Sequence, residues 1–192
     1  MTAIEFPIGG IDDGVVRLRL HADRDLERVA AASLDPEVLR WTRVPEGNDA
    51  SAMAEWIGEW RSGPGSELHL VVVGADDDEL LGAAGIVRFE QDERRCEIGY
   101  WLAREARGRG VATRAVRLLA DWIFASLEVD RIGIAAEREN AASCAVAERT
   151  GFRFEGVLRS WLVIKGIPRD TAMYSLLREE PPEARGGSPK LS

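Results

Sequence analysis

The densest group of potential ligand-binding residues lies between a predicted strand and a predicted helix, at Arg107-Gly108-Arg109-Gly110-Val111-Ala112. Two glycines in this spacing let the backbone turn tightly and let a ligand approach the main chain. The first turn of a helix has N–H groups without partners and a partial positive charge, which together favour a phosphate. Residues 104–117 contain five arginines and one glutamate, a net charge of +4.

These six residues alone leave three interpretations open. A dinucleotide-binding turn has the pattern G-x-G-x-x-G, and Thr113 stands where its third glycine would be. A P-loop needs G-x-x-x-x-G-K-[ST], which the segment lacks. The remaining alternative to a phosphate site is a structural turn followed by a helix with solvated arginines.

The composition excludes several classes of function. The chain has 192 residues, of which 45% are apolar and 30% charged, and a net charge of −8, which argues against a general nucleic-acid binder. No apolar run reaches the roughly 18–20 residues needed to span a membrane. Residues 1–13 carry no basic residue, unlike a signal peptide. With two cysteines and two isolated histidines, we expect free thiols, no metal site and a cytoplasmic location.

The hydrophobic periodicity predicts one α/β domain over residues 14–178. Residues 1–13 are expected to be a flexible lead, and residues 179–192, with their prolines and glycines, a disordered tail. The predicted order is a strand, helices, three strands, a helix, a strand, a helix and two strands. A strand–helix–strand unit at 96–136 should place its two strands parallel to one another.

The ordered motifs resemble the GNAT superfamily of N-acetyltransferases. Arg107–Ala112 matches the R/Q-x-x-G-x-G/A pyrophosphate motif, and Asn140-Ala141-Ala142-Ser143 with Gly151-Phe152 matches the N-x-x-S…G-F pattern. Glu97-Ile98-Gly99-Tyr100-Trp101-Leu102 is similar to the E-I-G-Y-W-L strand of the RimJ/RimL-type, ribosomal-protein branch. The resemblance implies an α+β fold: a mixed β-sheet of about seven strands, splayed open between the 96–102 and 131–136 strands and flanked by about four helices.

The resemblance also implies acetyl-CoA as co-substrate. Its pantetheine arm would pair with the backbone of Tyr100, Trp101 and Leu102. Its pyrophosphate would lie on the Arg107–Ala112 motif, over the amides of Arg109 to Thr113. Asn140 and Ser143 would border the pantetheine, unless Asn140 instead holds the fourth helix.

Two residues are candidates for moving protons during acetyl transfer. Glu97, which on a regular strand shares a face with Gly99 and Trp101, could accept the amine proton, bind a cationic amine, or pair with Arg88. The tyrosine that many members use as proton donor is replaced by Ala147. Ser143 is therefore the candidate donor, although a hydroxyl at a helix start often bonds locally.

The acceptor is expected to be a primary amine: a protein N-terminus, a lysine or a small molecule. Trp41 and Trp56 are candidate walls of its groove. Leu162 stands where the RimJ/RimL branch tends to carry a glutamate. The acceptor known for that branch can therefore not be assumed for this chain. The alternatives are a non-catalytic acyl-CoA sensor on this fold and a transferase of a longer acyl group. A monomer or a homodimer is expected.

Overall fold

The computed structural model describes residues 4–44, 51, 55 and 67–179. The helices found in these ranges are α1 Leu26–Ser33, α2 Pro36–Trp41, α3 Val111–Ser126 and α4 Ala141–Arg149, with 3-10 turns at Asp23–Asp25 and Arg104–Ala106. The strands are β1 Ile11–Asp12, β2 Val16–Leu20, β3 Leu68–Gly74, β4 Leu80–Glu90, β5 Arg95–Leu102, β6 Arg131–Glu137, β7 Arg153–Ile164 and β8 Ile167–Leu177.

The strands form one mixed sheet in the order β1-β2-β3-β4-β5-β6-β8-β7. Strands β5 and β6 are parallel, and the other neighbouring pairs are antiparallel. The predicted fold class is confirmed, with one strand more than the expected seven among the described residues. The additional strand β1 lies in the segment expected to be a flexible lead, and Phe6 of that segment is buried with its ring 4.7 Å from Trp122.

The predicted alternation of side chains along β5 determines what each face of the sheet presents. Cys96, Ile98 and Tyr100 pack into the main hydrophobic core with α3. Trp101 packs on the opposite face, against Val29 of α1 and its neighbours. The irregularity in this region is on β4, between Ile86 and Arg88, so β5 itself keeps its regular alternation.

Local sequence signals explain where the helices begin and end. The Asp35 carboxylate accepts hydrogen bonds from the N–H groups of Glu37 and Val38 at 3.0 and 3.3 Å, which starts α2. Gly151 follows α4 with φ +86°, the left-handed conformation that ends many helices.

The sequence also predicts an amphipathic helix that starts at Asp49 or Ser51 and carries Trp56, and most of it lies outside the described residues. Within the described ranges, no helix is long and apolar enough to cross a membrane.

Candidate active site

The Gly108–Gly110 turn presents an open cradle at the start of α3. Both glycines are left-handed, at φ +73° and +77°, and a Cβ added at either one would meet nothing within 4 Å. Gly110 is the N-cap of α3 and supplies no side chain to the helix amides. The N–H groups of Val111, Ala112 and Thr113 therefore have no partner within the helix, and they fit a bound phosphate group.

The arginines around this cradle have different partners. Arg107 donates to Asp35 at 2.6 Å and to the Leu102 carbonyl at 3.0 Å. The Arg107 N–H also donates to the Arg104 carbonyl at 3.3 Å. Arg107, which belongs to the predicted pyrophosphate motif, therefore also connects α2 and β5 to the cradle.

Arg104 and Arg109 carry the positive charge that faces solvent beside the cradle. Both are exposed, whereas Arg114 forms an ion pair with Asp13 at 2.6 Å and Arg117 donates to the Arg149 carbonyl at 2.7 Å. Ion pairs with Asp35 and Asp13 thus neutralise part of the +4 charge of the segment, and Arg114 and Arg117 are exposed on α3 as well.

The sheet opens directly after Glu97. The β5–β6 ladder pairs residues 95, 96 and 97 with residues 131, 132 and 133 and extends no further in the described chain. From Ile98 to Leu102, β5 pairs with β4 alone. The edge of β5 that faces β6 is therefore available to a ligand backbone at Tyr100 and Trp101, while the carbonyl of Leu102 already accepts from Arg107.

The start of α4 lies across this opening. Asn140 accepts a hydrogen bond from the Ser143 N–H at 3.1 Å, so its side chain holds the helix, the second of its two expected roles. The Ser143 hydroxyl lies 2.9 Å from the Tyr100 hydroxyl. Its contact thus reaches across to β5, beyond the local helix-start bonding considered from the sequence.

Glu97 lies on the other face of β5, with 17% of its side chain exposed. Arg88 forms an ion pair with it, with Nη1 of Arg88 3.8 Å from the Glu97 carboxylate. Burial raises the pKa of Glu97, and the opposing charges of Arg88 and Arg43 only partly offset this. A carboxyl group with a raised pKa is a better proton acceptor than an ordinary surface glutamate.

Of the two tryptophans predicted to line an acceptor groove, only Trp41 is among the described residues. Trp41 ends α2, half-buried, with its indole N–H donating to Glu37 at 2.9 Å and Arg40 stacked 4.3 Å above its ring. Trp56 lies outside the described residues. Ala147, at the position of the missing tyrosine, is fully buried.

Two features of the site were absent from the sequence-based prediction. They are the side-chain contact between Tyr100 and Ser143 and the bond between Arg107 and Asp35. The alternation of side chains along β5 places Tyr100 on the sheet face that α3 and α4 cover. That alternation was the one sequence signal that could have indicated its contact with Ser143. Among the described residues, no group of three or more His, Cys, Asp or Glu could hold a metal ion.

Comparisons with known proteins agree with this architecture. A family model for the acetyltransferase (GNAT) domain matches residues 16–153. The chain is 33% identical over 174 residues to the "Putative ribosomal N-acetyltransferase YdaF" of Bacillus subtilis (strain 168), covering 86% of this chain and 92% of that protein.

Solved structures show the same fold. A crystal structure named "Probable acetyltransferase" has a TM-score of 0.78 at 32% identity, covering 88% of this chain and 96% of the other. RimL, the ribosomal L7/L12 α-N-protein acetyltransferase in complex with coenzyme A, has a TM-score of 0.77 at 18% identity, covering 90% and 97%. The chain therefore belongs to the GNAT acetyltransferase family, and its relatives support the RimJ/RimL-type branch.

Proposed function

We propose that the protein transfers an acetyl group from acetyl-CoA to a primary amine by direct attack in the opening between β5 and β6. The observation that carries the proposal is the position of Glu97 and Ser143. Glu97 lies on one face of β5 where the ladder to β6 ends, and Ser143 lies against the other face. A proton can thus be accepted on one side of the opening and supplied on the other.

The residues present fit acetyl-CoA. The open glycine turn and the N–H groups of α3 suit its pyrophosphate, Arg104 and Arg109 add exposed positive charge, and the unpaired edge of β5 suits an amide-containing arm. When bound, acetyl-CoA supplies an activated thioester. The turn, the helix N–H groups and the strand edge are main-chain features, so these parts of the site are formed before ligand binding.

The chain's own residues divide the proton transfers. Glu97 accepts the proton that the amine nitrogen loses as it bonds to the acetyl carbon. Ser143 donates its hydroxyl proton to the leaving sulfur, which keeps the electron pair of the broken C–S bond, and recovers a proton from water. Glu97 returns its proton to water, so one proton has moved from nitrogen to sulfur and the protein is unchanged.

A protein N-terminus is the first acceptor to test, because the relative in Bacillus subtilis is named for ribosomal N-acetylation. The net charge of −8 adds support for a cationic acceptor. The decisive experiment incubates the protein with labelled acetyl-CoA and a panel of N-terminal peptides, lysine peptides, polyamines and aminoglycosides, followed by mass spectrometry. We expect acetylation of one amine class. Binding of acetyl-CoA without transfer to any amine would contradict the proposal and favour an acyl-CoA sensor.

Trp41→Ala tests the proposed acceptor groove. We expect the KM for the amine to rise about threefold to tenfold, because an aromatic contact area is lost, while acetyl-CoA binding stays unchanged. Steady-state kinetics with varied acceptor and calorimetry with acetyl-CoA measure the two effects. Trp161→Ala, an equal truncation at an exposed residue of β7, is the control. An unchanged acceptor KM in a folded Trp41→Ala protein would show that Trp41 does not line the acceptor groove.

A further inference from the structure

The Tyr100 side chain reaches from β5 to the start of α4 and contacts Ser143 twice. Its hydroxyl lies 2.9 Å from the Ser143 Oγ and 3.3 Å from the Ser143 carbonyl oxygen. The ring packs against the main hydrophobic core, and this packing fixes the position of the hydroxyl. These contacts join the two elements that border the opening between β5 and β6.

A phenol has a single proton, and that proton decides what Ser143 can do. When Tyr100 donates to the Ser143 Oγ, the serine hydrogen is free to point at a different acceptor. When Tyr100 donates to the Ser143 carbonyl, the serine hydrogen points back at the phenol. The shorter of the two distances is the one to Oγ.

We propose that Tyr100 is a positioning residue that donates to the Ser143 Oγ and thereby directs the Ser143 hydrogen at the sulfur of coenzyme A. This inference rests on the proposed function and adds a residue to it. Tyr100 keeps its own proton throughout. Ser143 is the group that gives a proton to the sulfur and regains one from water.

The surroundings keep Tyr100 neutral and able to donate. Burial raises the pKa of its phenol to about 12, the hydrogen bond with Ser143 opposes that shift, and the nearby Cys144 adds to it. At neutral pH the phenol is therefore protonated in the resting protein. Without Tyr100, the hydroxyl of Ser143 would be expected to bond to a helix carbonyl, as serines near a helix start commonly do.

The test measures binding of coenzyme A without any acetyl transfer. A hydrogen bond to a charged acceptor stabilises that charge, by about tenfold in an equilibrium constant. If Ser143 points at the sulfur, it favours the thiolate, the form that coenzyme A adopts as the pH rises above the ordinary cysteine value of about 8.5. The protein should then bind coenzyme A severalfold more tightly at pH 10 than at pH 6.5.

Other groups that titrate or carry charge stand on the elements around this pair, and their effect must be separated from that of the sulfur. They are Cys144 and Glu148 on α4, Cys96 and Glu97 on β5, Arg114 and Arg117 on α3, Glu137 on β6, Tyr174 on β8 and Arg107 beyond β5. Desulfo-coenzyme A, which lacks the sulfur, meets the same groups. Subtracting its pH dependence therefore leaves the contribution of the sulfur.

Calorimetric titrations of wild type, Tyr100→Phe and Tyr174→Phe with coenzyme A and with desulfo-coenzyme A test the role of Tyr100. We expect Tyr100→Phe to reduce the sulfur-dependent pH effect to twofold or less, and binding of desulfo-coenzyme A to stay at the wild-type value. Tyr174→Phe is the matched control, because Tyr174 is the second of the two tyrosines in the chain and its hydroxyl contacts Glu148 at 3.4 Å. It should retain the full effect.

Ser143→Ala keeps the test decisive if Tyr100→Phe proves poorly folded by thermal melting, since it removes the same contact from the other side. A full pH effect in either folded variant, or no pH effect in wild type that binds coenzyme A, would overturn the role of Tyr100. All of these outcomes leave acetyl transfer to an amine standing, but a full effect in Ser143→Ala or none in wild type would also reject Ser143 as its proton donor. Failure of wild type to bind either ligand would instead remove the coenzyme A site itself.

Discussion

Gly110→Glu should abolish detectable binding of acetyl-CoA, with an affinity loss of 100-fold or more. The added side chain would enter the open space above the turn, where a Cβ meets nothing within 4 Å. Its carboxylate would occupy the position expected for the pyrophosphate and repel it, at the partly positive start of α3. Calorimetry with acetyl-CoA measures the loss, and circular dichroism confirms that the protein is folded.

The control for this variant is Gly166→Glu in the turn between β7 and β8. Gly166 has the same φ of +77° and the same absence of neighbours within 4 Å. Both variants therefore carry the same backbone strain, of roughly 1–2 kcal/mol for a left-handed residue, and the same added charge. We expect Gly166→Glu to bind acetyl-CoA normally. Wild-type-like binding by folded Gly110→Glu would reject the cradle as the phosphate site.

The parts of the site that depend on local pattern could be predicted from the sequence. Two glycines before an amphipathic run predicted the turn and the start of α3, because a left-handed turn and a helix N-terminus are both local features. The alternation of β5 predicted that Glu97 and Tyr100 would lie on opposite faces, because side chains alternate along any regular strand. Both features are present in the structure.

The contacts that connect these parts could not be predicted in the same way. Tyr100 and Ser143 are 43 positions apart, and Arg107 and Asp35 are 72 positions apart. No periodicity relates residues at such separations, and a hydroxyl or a guanidinium can serve many partners. The roles of Ser143 and Arg107 therefore depended on the packing of α4 on β5 and of α2 beside the cradle.

The net charge around the cradle could also be predicted only in part from the sequence. Counting residues gave +4 for the segment 104–117, but the fold supplies carboxylates from distant positions. Asp35 pairs with Arg107 and Asp13 pairs with Arg114. Burial raises the pKa of each aspartate, but the hydrogen bonds from backbone N–H groups and from the arginine, together with the arginine charge, outweigh it. The pKa of each is therefore lowered, and both stay charged at neutral pH. The attraction for an anionic ligand rests on the exposed Arg104 and Arg109 and on the helix amides.

Glu97→Gln should lower kcat by about 100-fold to 10,000-fold, the usual contribution of a general base. Glutamine fills almost the same volume and cannot accept a proton, and it lies on the opposite face from the cradle. The affinity for acetyl-CoA should therefore remain within about twofold of wild type. Glu155→Gln is the control, because Glu155 is a half-exposed carboxylate on β7 that pairs with Arg131 and Ser175.

The pH profile distinguishes a base from a residue that only binds a cation. Burial raises the pKa of Glu97, and the base acts only when ionised. Wild-type kcat should therefore fall as the pH drops through this raised pKa, and Glu97→Gln should lose that inflection. Arg88 lowers the pKa of Glu97, so Arg88→Gln should move the inflection to higher pH. If Glu97→Gln changed the acceptor KM alone and left kcat unchanged, Glu97 would be a binding residue for the amine and a different group would accept its proton.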